Sequence, residues 1–549
     1  MKESFFRTMT WLHTWTGLLV CWLLMLIFFA GTLSYYRYEI NLWMKPELHT
    51  NVLQQYQDLD LAQTLVQGQT YLADTAPGAK TWMLRLPTHR LPFVGYAWMD
   101  APKEGERRGK FHEHIVTTEG EMISDVRATK GGHFFYRLHF DLHYLPVPLA
   151  RYLVGFATMF MLLAIITGIV IHKRIFKDFF ALRLKKGPRS WLDSHTLSSV
   201  LALPYHLMIT YTGLITLMFM YMPSAMEATY DGNRKALQKE ITPVSTPAKP
   251  SGTPGELVSL STILPSVLEQ AEGKPIRDIR IQNPLDANSQ IQVVLRNDSR
   301  VADHEYQLLY QGTSGEFIGK VGDSPSSMGK AYDTMIGLHA GRFAEPTLRF
   351  ALFLSGVLGC VMIASGTLLW SKKLRQKQQK QIDQGARPSL GLYITESLNL
   401  GVIAGLPIAA ASYLWANRLL SADYAGRYDA EINLFFTGLG VTLLLAFLGR
   451  INWRGALLTG GLMWLGIPVL NALTSSENLI TNIVKGQWFI AWIDLLALMV
   501  GGLMLLAASY CKRKIDNKVG NKHKTKVQDA PTTNSVKAAE SAQAIKEHV

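Results

Sequence analysis

"RLHFDLHYLPVP", residues 137–148, puts two imidazoles four apart and opens onto the uncharged apolar run 149–171. Lys or Trp would anchor a membrane edge at lower cost, so the histidines need another reason. Comparable runs lie at 11–35, 196–221, 349–370, 391–417, 432–449, 455–473 and 487–511. Each is close to the roughly 20 residues with which a helix crosses a ~30 Å hydrocarbon core. The chain therefore reads as an integral membrane protein of about eight spans. The first run leads into "LSYYRYEINLW" without a small-residue cleavage site, as a retained signal anchor does.

Orientation follows from basic residues beside the spans. "HKRIFKDFFALRLKKGPR" (172–189) and "SKKLRQKQQKQ" (371–381) are the densest such segments. Placing both in the cytoplasm puts both termini inside and residues ~37–140 and ~222–345 outside. The net charge of +13 largely reflects these loops and the tail, so no nucleic-acid partner is read from it. The resulting division is span 1 (1–36), a first exterior module (37–145), span 2 (146–172), a basic loop (173–194), span 3 (195–221), a second exterior module (222–345), span 4 (346–371), a basic loop (372–390), spans 5–8 (391–511) and a disordered polar tail (512–549). Cys21, Cys360 and Cys511 fall in or at the ends of spans, which excludes a disulfide framework or cysteine-ligated cluster outside.

Each exterior segment has a helical rhythm, 59–75 and 257–272, followed by strand-like pieces: "TWMLRLP", "FVGYAWM" and "EHIVTTEGEMISDV" in the first, "IRDIRIQ", "IQVVLR", "YQLLYQ" and "EFIGKV" in the second. Two small α+β modules are predicted. The linker 241–256, rich in Pro, Ser and Thr, reads as extended. The spans repeat too. His13 precedes Gly31 by eighteen residues and His195 precedes Gly213 by eighteen, while "RLHFDLHY…IITGIVIHK" parallels "GLHAGRFA…IASGTLLWSK". Residues ~1–172 and ~190–371 thus read as one unit used twice in parallel, which makes a repeated four-helix bundle around an axis along the membrane normal.

Of fifteen histidines, seven lie at or in the first four spans: His139, His143 and His339 outside, His13, His172 and His195 inside, and His206 within span three. An imidazole near hydrocarbon is costly without a partner, and two from facing helices hold a haem iron axially. Two levels of histidine matched across a repeat predict two bis-histidine haems. Pseudo-symmetry pairs His13 with His195, and His139 or His143, one helical turn apart, with His339. Depth argues for a deeper inner site using His206, which on a continuous helix faces the same way as His195, with His172 or His13. The residues leave the pairing open. Arg151 and Arg349 are candidates for haem propionates, "HEH" (112–114) for a metal, and His89, Tyr96, Trp98 and His304 for substrate contact. No Rossmann or Walker glycine fingerprint occurs in context, so electrons must come from membrane quinol or a separate cytoplasmic reductase.

"LHTWTGLL", "LHFDLHY", "GIVIHKRIFKDFFALRLKKGPRSWLDSH", "LPYHLMITYTGL" and "GLHAGRFAEPTLRF" resemble the PepSY-associated transmembrane family of bacterial iron-regulated inner-membrane proteins, over roughly residues 5–375. The exterior segments resemble its PepSY modules. The resemblance implies a haem b-dependent reductase that transfers electrons to ferric siderophores or other Fe(III) chelates and releases Fe(II) in the periplasm. Its motif histidines fall on His13, His139, His143, His172, His195, His206 and His339. Two other functions fit the pattern: a membrane-anchored PepSY module that binds or inhibits peptidases, and an iron or siderophore transporter. Spans 5–8 extend beyond the resemblance.

Overall fold

The computed structural model describes residues 3–528, apart from 52–58, 89, 107–108, 118–119, 173–182, 184–186, 242–244, 246–247, 297–300, 303–304 and 323–325. His89, His304 and most of the first basic loop lie outside the described residues.

The chain begins with helix α1 (Glu3–Ser34), short α2 (Arg37–Trp43) and a 3-10 turn (Pro46–Asn51). Next come α3 (Leu61–Thr75), strands β1 (Thr81–Arg85), β2 (Val94–Met99) and β3 (Phe111–Val116), α4 (Gly131–Asp141) and α5 (Val147–Ile171). The order then recurs with α6 (Pro188–Leu201), α7 (Leu203–Thr216), α8 (Met218–Tyr221), α9 (Pro223–Tyr230), α10 (Arg234–Ile241) and α11 (Leu260–Ala271). Strands β4 (Ile276–Gln282), β5 (Gln290–Leu295), β6 (Tyr306–Gln311) and β7 (Phe317–Val321) follow, then α12 (Ser327–Ala340) and α13 (Pro346–Asp383). The C-terminal unit comprises α14 (Leu390–Ile403), α15 (Gly405–Leu419), α16 (Arg427–Phe447), α17 (Trp453–Thr474), α18 (Leu479–Val484) and α19 (Trp488–Gln528).

Among the described residues, seven helical segments are long and apolar enough to cross a membrane, with α14 and α15 counted as one. The chain is a multi-pass membrane protein. The expected third span is segmented into α6, α7 and α8 around Ala202 and Leu217. Pro204 explains the first break, because its ring removes a backbone donor and crowds the preceding turn. Two other boundaries move. α13 runs through the second basic segment to Asp383, and α19 continues to Gln528 where a disordered tail is expected after Cys511. A helix already nucleated in a span extends into a polar flank at little cost. Residues 529–549 lie outside the described residues.

The seven predicted strand regions are all present, but they do not form two separate sheets. They join in one antiparallel sheet of order β3-β2-β1-β4-β5-β6-β7, fused where β1 pairs with β4 (Thr81 with Gln282 through Arg85 with Asp278). Alternation puts Trp82 and Leu84 of β1 and Ile279 and Ile281 of β4 into one core, together with Leu65 and Leu72 of α3 and Ile263 and Val267 of α11. The two halves thus share a single apolar interior, which neither would enclose as fully alone.

Helix α1 packs on α4, α5 and α13, and α7 packs on α5, α12 and α13. The C-terminal unit joins α1, α2 and α4 through an apolar core and a buried polar seam. In that seam the Trp43 indole donates to Asp494 (3.0 Å), Arg418 to the Trp43 carbonyl (2.6 Å), Asn417 to the Met44 carbonyl (3.0 Å) and Thr129 to Glu431 (2.5 Å). Tyr413 donates to the carbonyl of Gly131, the first residue of α4 (3.0 Å).

Candidate functional site

Four histidines are held in the same way. His139 of α4 directs Nδ1 at the Ile27 carbonyl of α1 (2.8 Å), and His339 of α12 directs Nδ1 at the Ile209 carbonyl of α7 (3.1 Å). His13 of α1 does so with the Ala164 carbonyl of α5 (2.9 Å), and His195 of α6 with the Met362 carbonyl of α13 (2.8 Å). Each carbonyl lies four residues before a glycine, and that glycine faces the same imidazole. A Cβ added at Gly31 would stand 2.7 Å from His139, at Gly213 3.0 Å from His339, at Gly168 3.2 Å from His13 and at Gly366 3.1 Å from His195. These glycines are needed for close approach rather than for backbone freedom.

The eighteen-residue spacing in the sequence now has a physical meaning. Span one supplies a histidine at one level and, at Gly31, a seat for the histidine of the other level.

A carbonyl oxygen can only accept, so each Nδ1 carries the proton and each lone pair sits on Nε2. None of the four Nε2 atoms has a hydrogen-bond partner among the described residues. The rings meet in two pairs: His139 with His339 at 6.0 Å between centroids, and His13 with His195 at 6.3 Å. Two imidazoles bound through Nε2 to one metal ion at about 2 Å each would have centroids about 6 Å apart.

The outer pair lines a cavity of about 470 Å³ between α1, α4, α5, α7 and α12. Leu24, Phe28, Val154, Met161 and Ile209 form apolar wall, Tyr35 and Tyr205 are joined by their hydroxyls (3.2 Å), and arginines stand toward the sheet end.

The remaining candidates are placed differently. His143 does not follow His139 by a helical turn, because α4 ends at Asp141 and both Leu142 (φ 52°) and His143 (φ 61°) are left-handed. Its ring stacks on Phe436 of α16 (5.6 Å) and meets Phe134 and Tyr144. His206 does not share a continuous helix with His195, since the break at Ala202 separates them. It is buried against Phe28, and among the described residues neither ring nitrogen has a hydrogen-bond partner. His172 caps α5, and its buried Nδ1 has no hydrogen-bond partner among the described residues.

Arg151 lines the cavity and pairs with Asp141 (2.8 Å), whereas Arg349 is held by Glu39 (3.2 Å) and the Ala344 carbonyl (2.8 Å). On β3, His112 stacks on Trp98 and contacts Asp100 (3.0 Å), while His114 contacts the Tyr71 hydroxyl (2.6 Å). Each imidazole there has its own structural partner, and no group of three or more metal-binding side chains occurs among the described residues. Tyr96 and Trp98 are both buried in the sheet core.

The polar seam to the C-terminal unit was not anticipated. Glu431, Asp494 and Arg418 read as isolated charges in or beside apolar runs, which is itself a signal, but their partners in the N-terminal half, Thr129 and Trp43, lie hundreds of residues away.

None of the characterised proteins compared with the chain matches it. The family model described as PepSY-associated TM region matches residues 10–373, a stretch that holds both histidine pairs, all four seats and the whole sheet, and the chain belongs to that family.

Proposed function

We propose that the chain is a di-haem b oxidoreductase of the bacterial inner membrane that carries electrons to the periplasmic side and reduces the iron of ferric chelates to Fe(II). The observation that supports this most is the fourfold arrangement just described: Nδ1 on a helix carbonyl, the ring on a glycine, and the ring centroid 6.0–6.3 Å from that of a second histidine. A hydrogen bond at Nδ1 fixes the tautomer and ring direction of a metal-binding histidine and raises the basicity of Nε2.

The residues fit haem b at both levels. His139 and His339 would hold one group, in a cavity with apolar walls and basic side chains at one end, and His13 and His195 would hold the other. When bound, haem supplies a one-electron Fe(III)/Fe(II) couple, whose potential depends on axial ligands, burial and hydrogen bonds. The carbonyls of Ile27, Ala164, Ile209 and Met362 set the direction of the ligating rings, while the apolar walls exclude water. Among the described residues, His143, His172 and His206 make no ring contact with another histidine, and they are not assigned as ligands. In this reading the repeated bundle carries the redox groups, both termini are cytoplasmic, the sheet is periplasmic, and quinol or a separate reductase supplies electrons.

The test is substitution at each level, with haem counted per chain. H139A and H13A should each leave one haem of two, whereas H143A should leave both. Retention of both haems in H139A and H13A would overturn the assignment.

A further inference from the structure

We propose that Thr167 and Thr212 are positioning residues of the two histidine pairs. Each hydroxyl oxygen accepts a second hydrogen bond from a paired imidazole, His13 and His339 respectively, and so sets the basicity of that ring and the potential of the iron it would hold. The inference rests on the redox reading above, and it names two residues that act on the metal only through a histidine.

The residue before each seat glycine falls three after the carbonyl that the imidazole uses, so helical geometry brings its side chain beside that oxygen. These residues are Thr167 before Gly168, Thr212 before Gly213, Ser365 before Gly366 and Ala30 before Gly31. Thr167 and Thr212 are buried, and each donates one turn back along its own helix, to the carbonyls of Leu163 and Met208, both at 2.7 Å. A hydroxyl has a single proton, so with that proton engaged its oxygen is left to accept. It meets a nitrogen that carries a proton: Oγ1 of Thr212 is 3.1 Å from Nδ1 of His339, and Oγ1 of Thr167 is 3.3 Å from Nδ1 of His13.

The second acceptor stands where the first is weaker. His139 and His195 each reach their carbonyl at 2.8 Å. Beside the former is Ala30, which has no hydroxyl. Beside the latter is Ser365, whose hydroxyl donates to the Val361 carbonyl (2.6 Å), with that of Met362 at 3.0 Å, and makes no hydrogen bond to His195 among the described residues. For His13 the carbonyl is at 2.9 Å and the hydroxyl at 3.3 Å, and for His339 both are at 3.1 Å. As the carbonyl bond lengthens, the hydroxyl closes in. Each pair thus joins one ring held by a carbonyl alone to one ring whose Nδ1 proton is shared.

An acceptor at Nδ1–H draws the ring toward the imidazolate and makes Nε2 a stronger ligand. A more basic axial ligand favours Fe(III) over Fe(II) and lowers the potential. Removing a hydroxyl should therefore raise the potential at its own level and leave the other unchanged. For His339, which would lose one of two equal acceptors, the Fe(II)/Fe(III) ratio at a fixed potential should rise by a factor of about three to ten. Tenfold corresponds to about 59 mV for one electron. For His13, which keeps the shorter of its two bonds, the rise should be smaller.

The test is a spectroscopic redox titration of full-length protein in detergent. Thr→Val keeps the branched shape and removes the hydroxyl, and Thr→Ser returns it. T212V should raise one of the two midpoints and T167V should raise the other by less, with T212S and T167S close to the unaltered protein. S365A removes a hydroxyl that no imidazole uses, and it should leave both midpoints in place. Unchanged midpoints in T212V and T167V, or Ser variants displaced as far as the Val ones, would overturn the proposal. If T212V folds poorly, T167V decides at the other level. A protein that carries no haem would sink the redox reading, and the contact is then read without it. In histidine-15N-labelled protein followed by solid-state NMR, the Nδ1–H proton signal that H339A removes should move in T212V and return in T212S. A signal that stays in place in T212V would overturn the contact itself.

Discussion

Gly31→Ala tests the glycine seats one at a time. A methyl there would stand 2.7 Å from Nδ1 and 2.8 Å from Cε1 of His139, where ordinary contacts begin near 3.4 Å. The ring must therefore retreat by about 0.7 Å, enough to stretch the 2.8 Å bond to the Ile27 carbonyl to about the limit for a hydrogen bond. A buried polar group left unpaired costs about 1–3 kcal/mol, and forcing extra volume into a packed site costs about 1–3 kcal/mol more. The helical preference for Ala over Gly returns up to about 1 kcal/mol. A net loss of roughly 2–4 kcal/mol falls on the outer site, and at about 1.4 kcal/mol per factor of ten that lowers its haem affinity tens- to several-hundredfold. The control is on the same helix: a Cβ at Gly17 meets nothing within 4 Å, so Gly17→Ala should keep both haems and raise thermal stability slightly. Haem-to-protein ratio and the reduced-minus-oxidised spectrum report the outcome. A Gly31→Ala protein with both haems and an unchanged spectrum would refute the reasoning, as would a Gly17→Ala protein equally impaired.

The other seats should grade with their clearances. Gly213→Ala (3.0 Å), Gly366→Ala (3.1 Å) and Gly168→Ala (3.2 Å) should be milder than Gly31→Ala. The first should affect the outer site and the other two the inner, read as a shifted midpoint potential in a redox titration. In the sheet, burial would push the Glu305 carboxyl up, but hydrogen bonds and charge from Arg280 and Arg277 outweigh it and hold the group at about 2, against a usual 4.5. A depressed carboxylate stabilises the fold fully above its unfolded value and ceases to do so as pH falls through its folded one. On the order of 2–3 kcal/mol should therefore fade between about pH 4.5 and 2. Unfolding of the sheet followed by near-UV circular dichroism should lose that acid sensitivity in E305Q, and an unchanged profile would count against the pairing. Glu431→Ala leaves Arg427, 1% exposed in its side chain, without its carboxylate. A cost of about 3–5 kcal/mol is expected, read as a fall in thermal stability that Gln at the same position only partly restores.

Local pattern revealed much of this architecture. Apolar length marked the spans, alternation marked all seven strand regions, and the spacing from His13 to Gly31 and from His195 to Gly213 held the plan of the paired histidines. Pairing by pseudo-symmetry anticipated the ring contacts of His139 with His339 and of His13 with His195. What local pattern did not carry is long-range. Nothing near Thr81–Arg85 specifies Ile276–Gln282 as its partner, since any strand edge can pair with another. The left-handed turn that swings His143 onto Phe436 is set by packing against α16. The break at Ala202 was signalled by Pro204, but an apolar run on either side hides it from a reading by hydropathy.

The central claim is that two imidazole pairs grip two haems, and the most direct measurement is the dithionite-reduced absorption spectrum and haem stoichiometry of the purified protein from haem-replete cells. The account predicts a b-type spectrum, two haems per chain, and reoxidation on adding an Fe(III) chelate. A colourless protein, or one whose haem content is unaffected by removing His139 and His13, would contradict it.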